Sequence, residues 1–384
     1  VVTGGADMRI RLTSWDRETL SPEQTIYGGA MDNGPAMQYM RIRSRVWGSL
    51  QIGEDIKINA RLVNRIHFVS SSPSSQNNDG AATWEYPDEI IFDKLNIELS
   101  NIGGSDWSLT LGRQDMILGN GMVMLEGTPY DQGRTIYFDG LSARYKGEKD
   151  ALTLFAFYND YKDNYVPIND QDRRLTTGNT FTTGANLTHN FSQCLNTDMY
   201  YIYANVNDTR HTLAQFDSIE RNWPWGGPPP MADADVVVHT FGARVFGPLS
   251  EAFDYSFEYA EQRGEADSDA DLTGSMLDAR FTMKAPSDTM LSPSLMLEWT
   301  RFSGDDPCSS NEMEGWVPLF AGYPIWREEL LPIMFNGNWT NMNLYRAQGN
   351  FRVSECVSAM VAYAYVTADF GELPNAGGGG MENE

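Results

Sequence analysis

Polar and apolar side chains alternate along much of this 384-residue chain, and this alternation constrains its fold more than any other feature. The stretch FDYSFEY at 253–259 has an aromatic residue at every odd position and a polar residue at every even one. Because successive side chains of a β-strand point to opposite faces, the pattern predicts a strand with one apolar and one polar face. Helical periodicity is nearly absent, so the sequence predicts an all-β protein.

About fifteen segments share this period of two, and most are about ten residues long, which suits a tilted strand that crosses a bilayer. The segments are residues 6–13, 37–50, 55–68, 90–99, 107–114, 137–146, 151–160, 181–190, 196–206, 236–246, 253–262, 274–284, 293–302, 341–352 and 356–367.

The connections between these segments alternate between short and long. The short ones are at 53–55, 103–106, 147–150, 191–194, 246–250, 285–288 and 353–356. The long ones are at 14–36, 69–89, 115–136, 161–180, 207–235 and 303–340, with a shorter one near 263–273. A soluble β-sandwich has no reason to keep every second connection tight, whereas an outer-membrane barrel has short periplasmic turns and long extracellular loops. The sequence therefore predicts a transmembrane antiparallel β-barrel in the bacterial outer membrane, with a soluble β-sandwich or β-helix as the alternative.

The barrel is expected to form one domain over residues 1–384. Bacterial barrels usually have an even number of strands, so the complete chain is expected to have about 16–18. The sequence ends in GELPNAGGGGMENE, a stretch typical of a loop. We therefore expect the closing strands to lie beyond the given sequence.

Composition limits the partners. A formal net charge of -24 argues against a nucleic-acid partner. No stretch approaches the roughly 20 apolar residues of a transmembrane helix. The three cysteines, Cys194, Cys308 and Cys356, do not make a disulfide framework, and we expect no bridge among them.

One segment concentrates positive charge in this acidic chain. The stretch YMRIRSRVWGSL at 39–50 places Arg41, Arg43 and Arg45 on one face of a strand. Charges are rare on lipid-facing surfaces, so these side chains are expected to line the lumen. The same parity assigns to the lumen Lys57, Arg61, Arg65, Arg144, Arg280, Arg346 and Arg352. The acidic side chains expected to face them are Glu98, Asp254, Glu258, Asp278 and Glu298.

Two roles are open for these arginines. A guanidinium stays charged and binds carboxylates in a bidentate manner, so a row of them suits a conduit for anions. Alternatively, lumen arginines only pair with lumen carboxylates and thereby hold the wall together.

The stretch LTLGRQDMILGNGMVMLEGTPYDQGRTIYFDGLSARYKG at 109–147 resembles the alginate-export outer-membrane porin family. The resemblance lies in G-R-Q at 112–114, Gly-Arg at 133–134 and F-D-G at 138–140, which Arg144 and Tyr145 follow. The segment GWVPLFAGYPIW is a second similarity. The resemblance implies a single eighteen-stranded barrel, with an arginine-lined conduit that passes an anionic polysaccharide.

The same motifs add Arg113 and Arg134 to the conduit candidates. The parity of Arg113 matches that of Trp107 and Leu111, which are expected to face lipid. Either a bulge at Gly112 turns Arg113 inward, or Arg113 lies above the bilayer.

Two long loops have features of their own. Loop 115–136 is rich in glycine, and it is interpreted either as a constriction folded into the lumen or as a surface loop. Loop 303–340 carries many aromatic residues, so we expect it to pack over the barrel mouth or against a protein partner.

Metal and catalytic motifs are weak. The acidic run EADSDAD at 265–271 offers Asp267, Asp269 and Asp271 to a Ca²⁺ ion, although a solvated loop explains it as well. The four histidines have no zinc-site spacing, and no G-x-S-x-G motif is present. We therefore predict no enzyme and no cofactor; for the acidic run a solvated loop is the favoured interpretation and a loop Ca²⁺ site is the alternative.

The preferred hypothesis is an outer-membrane porin or export channel that passes anionic saccharides or small anionic solutes. Its expected partners are the bilayer with its lipopolysaccharide and the saccharide. The alternatives are a structural barrel that anchors or encloses a partner, and a secreted carbohydrate-binding β protein.

Overall fold

The computed structural model describes residues 1–15, 37–69, 83–85, 89–126, 137–160, 167–169, 179–207, 236–266, 270–286, 289, 291–306, 312–317, 319–321 and 340–370. The predictions that concern Arg134, Asp267, Asp269 and Cys308 lie outside these ranges.

The described residues form β-strands joined by turns. In chain order these strands are β1 (Val2–Trp15), β2 (Met37–Ile52), β3 (Ile56–Val69), β4 (Thr83–Glu85), β5 (Glu89–Leu99), β6 (Trp107–Gln114), β7 (Met116–Leu118), β8 (Met124–Glu126), β9 (Phe138–Lys146), β10 (Asp150–Asn159), β11 (Pro167–Asn169), β12 (Asn179–Ser192), β13 (Leu195–Asn207), β14 (Val236–Ser250), β15 (Phe253–Ala266), β16 (Ala270–Leu272), β17 (Ser275–Lys284), β18 (Ser294–Phe302), β19 (Glu312–Met313), β20 (Phe320–Ala321), β21 (Met342–Arg352) and β22 (Ser358–Thr367). A 3-10 turn at Ile102–Gly104 lies between β5 and β6.

The longer strands form one continuous wall. These wall strands are β1, β2, β3, β5, β6, β9, β10, β12, β13, β14, β15, β17, β18, β21 and β22. Each pairs with the next wall strand in antiparallel register. Each corresponds to one of the predicted segments, which confirms the all-β prediction. Among the described residues, no backbone pairing joins β1 to β22.

The connections confirm the predicted alternation. Tight turns join β2 to β3, β9 to β10, β12 to β13 and β14 to β15, whereas the connections between these hairpins are long. The short strands β4, β7, β8, β11, β16, β19 and β20 all lie within long connections. The strand ends that the long connections join therefore lie at one end of the wall, which is the extracellular end of an outer-membrane barrel.

The sheet curls around an enclosed space. The chain between β6 and β9 contacts Arg61 of β3 through Asp115 and Asp278 of β17 through Asn120. These two wall strands are far apart in the sheet, so a short segment can bridge them only if the wall bends round it.

The two faces of the wall differ as the alternation predicts. The outer face exposes Phe241, Phe257, Tyr259, Trp299 and Tyr345, among others. The inner face buries Thr240, Glu258, Asp278, Thr300 and Arg346. Apolar and aromatic side chains that face outward suit contact with lipid. No helix within the described ranges is long and apolar enough to cross a membrane.

Candidate functional site

The strands β1, β2 and β3 carry a large excess of positive charge, and we call their inner face the basic sector. They contain seven arginines and Lys57 against a single carboxylate, Asp7. The arginines are Arg9, Arg11, Arg41, Arg43, Arg45, Arg61 and Arg65. Backbone register aligns Arg43 with Arg9 on one side and with Arg65 on the other. Like charges opposite each other on adjacent strands repel.

Asp7 is the internal counter-charge of the basic sector. Its carboxylate lies 2.7 Å from Arg45 Nη2 and 3.5 Å from Arg43 Nη2. Arg41 and Arg43 are almost fully buried, whereas Arg45 is partly exposed beside a cavity of about 290 Å³. Burial inside the wall orders these side chains, so the arginine row forms a fixed surface.

A β-bulge in β5 brings two further charges into the lumen. Arg61 aligns with Lys94 and Leu62 with Phe92, so Asp93 is the extra residue. A bulge places adjacent side chains on the same side of a sheet. The fully buried Asp93 accepts a hydrogen bond of 2.6 Å from Arg61 Nε, while Lys94 lines both described cavities.

The family-like motifs form a kink between β6 and β9. Gly112 lies opposite Gly140, and both have positive φ, +111° and +156°. A Cβ atom would lie 2.4 Å from the Leu95 carbonyl oxygen at Gly112, and 2.2 Å from the Ala156 carbonyl oxygen at Gly140. The wall strands therefore approach each other more closely here than any larger residue permits.

Arg113 binds within the wall beside this kink. Its guanidinium makes a bidentate pair with Asp139 at 2.8 and 2.7 Å, and it donates to the Phe92 carbonyl oxygen at 2.8 Å. It also lies 4.7 Å from the centre of the Tyr137 ring. Arg113 lines neither described cavity.

Residues 115–126, here called the inner segment, fold into the lumen. Asp115 lies 3.0 Å from Arg61 Nη2 at one end of the segment. At its turn, Asn120 Nδ2 donates to Ser256 and to Asp278, both at 3.0 Å, and Asn120 Oδ1 accepts from Arg244 at 2.6 Å. The inner segment therefore follows the first of the two interpretations of loop 115–136, a constriction folded into the lumen.

The Asp115 carboxyl has a raised pKa. Burial raises its pKa above the ordinary value, and the opposing attraction of Arg61 and Lys94 does not cancel this effect. Its charge is therefore lost at a higher pH than that of an ordinary aspartate.

The inner segment packs into an apolar cluster with wall strands that lie across the lumen from the basic sector. Met122 and Met124 are buried among wall side chains such as Phe155 and Phe302, and Trp316 and Phe320 join the same cluster. The segment 312–321 is fixed by Gln262, whose side chain donates to and accepts from the Val317 backbone at 2.9 and 2.8 Å. The aromatic residues Trp316 and Phe320 of the loop 303–340 thus pack inside the barrel.

The charges on that far side are paired. Glu298 lies 2.8 Å from Arg280 and 2.5 Å from Arg346, and Asp278 lies 3.0 Å from Arg280. Two further carboxylates of these strands have partners too: Asp198 lies 2.6 Å from Arg244, and Glu258 accepts a 2.9 Å hydrogen bond from Tyr200. Structural pairing therefore describes these charges of β13–β21.

A polar cavity of about 530 Å³ lies beside the inner segment. Its charged lining residues are Lys94, Glu98, Asp115, Arg144, Asp198 and Arg244. Hydroxyl and carboxamide side chains of β5, β6, β9, β10 and β12 make up much of the rest, with Phe246 as the aromatic member.

Several other predicted residues lie away from the arginine row. Glu98 contacts Lys57 at 3.8 Å and Asn59 at 2.8 Å, so the carboxylates that contact the arginines are Asp7, Asp93 and Asp115 instead. Asp254 pairs with Lys284. Asp271 lies in β16 beside Glu312 of β19. No cluster of metal-binding side chains occurs among the described residues. Cys194 and Cys356 are free and exposed.

Sequence reasoning missed several lumen residues. These are Asp7, Arg9, Arg11, Asp93, Lys94, Asp139, Asp198 and Arg244. The parity rule alone would have found Arg9 and Arg11, since they alternate within ADMRIRLT at 6–13. It cannot find Asp93, because a bulge shifts the parity.

A model of the alginate-export protein family matches residues 5–366, nearly the whole chain. The chain belongs to the alginate-export family. No curated protein matches this alginate-export chain. Its fold is similar to that of OpdK from Pseudomonas aeruginosa, solved with vanillate, with a TM-score of 0.52, 12% identity, and coverage of 95% of this chain and 82% of OpdK. OccK7 (OpdD) from the same organism gives a TM-score of 0.51 and 14% identity, over 94% of this chain and 81% of OccK7.

These structural similarities show the fold alone, since the identities are low. Together with the family, they identify the alginate-export chain as an outer-membrane β-barrel channel of the bacterial outer membrane. Alginate-export proteins are channels, and this function needs no catalytic group.

Proposed function

We propose that this channel passively conducts anionic saccharides or small anionic solutes along the basic sector. The observation that carries the proposal is the excess of seven arginines and Lys57 over one carboxylate in β1–β3. A pore wall with this charge raises the local concentration of anions, and its guanidiniums bind carboxylates in a bidentate manner.

The distribution of packing inside the barrel supports this path. The inner segment and described residues of the segment 312–321 are held against wall strands between β9 and β21 by the apolar cluster and by Gln262. Both described cavities include residues of β3 or β5, on the other side of the lumen. Solutes would therefore pass off-centre, between the inner segment and the basic sector.

The mixed charge on the path also suits conduction. Asp7, Asp93 and Asp115 lie among the arginines and order them. A wall of one sign alone would bind an anion too tightly to release it, because conduction requires binding that is weak enough for exit.

Reversal potentials across planar bilayers in a KCl gradient test the proposal. We expect the wild-type channel to prefer chloride, and the double substitution Arg43→Gln, Arg45→Gln to reduce this preference several-fold. The matched control is Arg263→Gln with Lys149→Gln, which removes the same charge from an exposed outer position and a periplasmic turn. A cation-selective wild type, or equal effects of the two pairs, would reject an anion path along the basic sector.

A further inference from the structure

The cavity of about 530 Å³ contains two cations that no wall carboxylate neutralises. Its three carboxylates are engaged elsewhere: Asp115 with Arg61, Asp198 with Arg244, and Glu98 with Lys57 and Asn59. Lys94 and Arg144, by contrast, form no ion pair with any carboxylate of the described residues. The cavity therefore has positive charge that is available to a ligand.

The rest of the cavity wall suits a hydroxylated ligand. It presents neutral groups that both donate and accept hydrogen bonds, from Asn96, Gln114, Ser142, Thr153, Asn186 and Thr188. Phe246 provides an apolar surface, and the Arg244 guanidinium covers its ring at 3.9 Å from the centre. Carboxamides and hydroxyls have the donor and acceptor capacity that sugar hydroxyls require.

The two cations lie at different heights in the cavity. Lys94 precedes Leu95, which pairs with Arg113, so Lys94 lies near the Gln114 end of β6. Arg144 pairs with Ser108, at the other end of β6 near the short turns. Six residues along a strand correspond to about 20 Å at ~3.4 Å per residue. A ligand that reaches both cations must therefore be extended and must carry more than one negative charge.

We propose that this cavity is a binding site for a short acidic oligosaccharide on the periplasmic side of the inner segment. Arg144 binds one carboxylate near the mouth, Lys94 binds a second beside Asp115, and the neutral side chains hold the hydroxyls between them. The volume lies within the roughly 300–1,000 Å³ that is usual for ligand sites. This inference rests on the proposed function and adds a site that is distinct from the basic sector.

Block of the single-channel current by trigalacturonate, added to one chamber at a time, tests the site. We expect the blocking events to last longer from the periplasmic side. Arg144→Gln should shorten them about tenfold, as expected for a lost hydrogen-bonded charge pair. Lys94→Gln with Arg144→Gln should abolish them. Lys149→Gln is the matched control, because it removes the same charge from the same end outside the cavity.

Two further measurements test the role of the cations and the site itself. Maltotriose, a neutral sugar, should give no comparable block, and equal block by maltotriose would overturn the role of the two cations. Unchanged dwell times in the double variant would overturn the site. The chloride preference of the wild type is measured in the same bilayers. A chloride-selective wild type with unchanged dwell times in the double variant means a failed site, whereas a cation-selective wild type means a failed anion channel.

Discussion

Asn120 and Asp278 are 158 residues apart in the chain, yet Asn120 Nδ2 donates a hydrogen bond of 3.0 Å to Asp278 Oδ2. The same side chain also bonds Ser256 and Arg244, so one residue fixes the turn of the inner segment to three wall strands. The inner segment is therefore a fixed part of the lumen wall in this structure.

Asn120→Ala should loosen the inner segment. The substitution removes three hydrogen bonds, two of them to charged groups, at a cost of about 0.5–3 kcal/mol each. We expect higher mean conductance and more current noise in single-channel recordings. Asn190→Ala, in an exposed position near a periplasmic turn, is the control. Unchanged noise and conductance in the Asn120 variant would show that the apolar core alone holds the segment.

Anion preference should depend on pH through Asp115. Because burial raises the pKa of this carboxyl, it becomes neutral as the pH falls through a value above 3.8, while Arg61 keeps its charge. The lumen then gains net positive charge, so chloride preference should rise in mild acid. Reversal potentials between pH 7 and pH 4 measure this change.

The variant Asp115→Asn has an uncharged side chain at this position at every pH. We expect its chloride preference to be high already at neutral pH and nearly flat over the same range. Asp106→Asn, in the exposed turn before β6, should retain the wild-type profile. If the chloride preference of Asp115→Asn changed with pH as that of the wild type does, the pH effect would come from other carboxylates.

Gly140→Ala should destabilise the barrel. The added Cβ would lie 2.2 Å from the Ala156 carbonyl oxygen, and the backbone atoms of β9 and β10 must separate to admit it. We expect a loss of about 1–3 kcal/mol from the strained backbone, with weaker hydrogen bonds nearby. The midpoint of heat-induced unfolding, followed by gel migration in detergent, measures the effect.

Gly48→Ala is the matched control within β2, because the nearest neighbour of its Cβ would be 3.7 Å away, at an ordinary contact distance. Its unfolding midpoint should remain close to that of the wild type. Equal midpoints for the two variants would mean that the F-D-G motif does not depend on close strand approach.

The sequence alone predicted the wall, because a period of two depends only on the local geometry of a strand. It located all fifteen wall segments and the alternation of short and long connections. It also placed Arg41, Arg43 and Arg45 on one face, since no bulge interrupts β2 between them. The alginate-export resemblance came from the Gly112 and Gly140 motifs, where close strand approach excludes other residues.

Only the tertiary structure decided which charges meet and what fills the lumen. The pairing of Arg61 with Asp93 depends on a bulge, and its pairing with Asp115 depends on a loop that turns inward. The contact of Asn120 with Asp278 and the burial of Trp316 depend on the curvature of the whole sheet. Local alternation specifies the face of each side chain, but only the curvature of the wall brings distant strands within bonding distance.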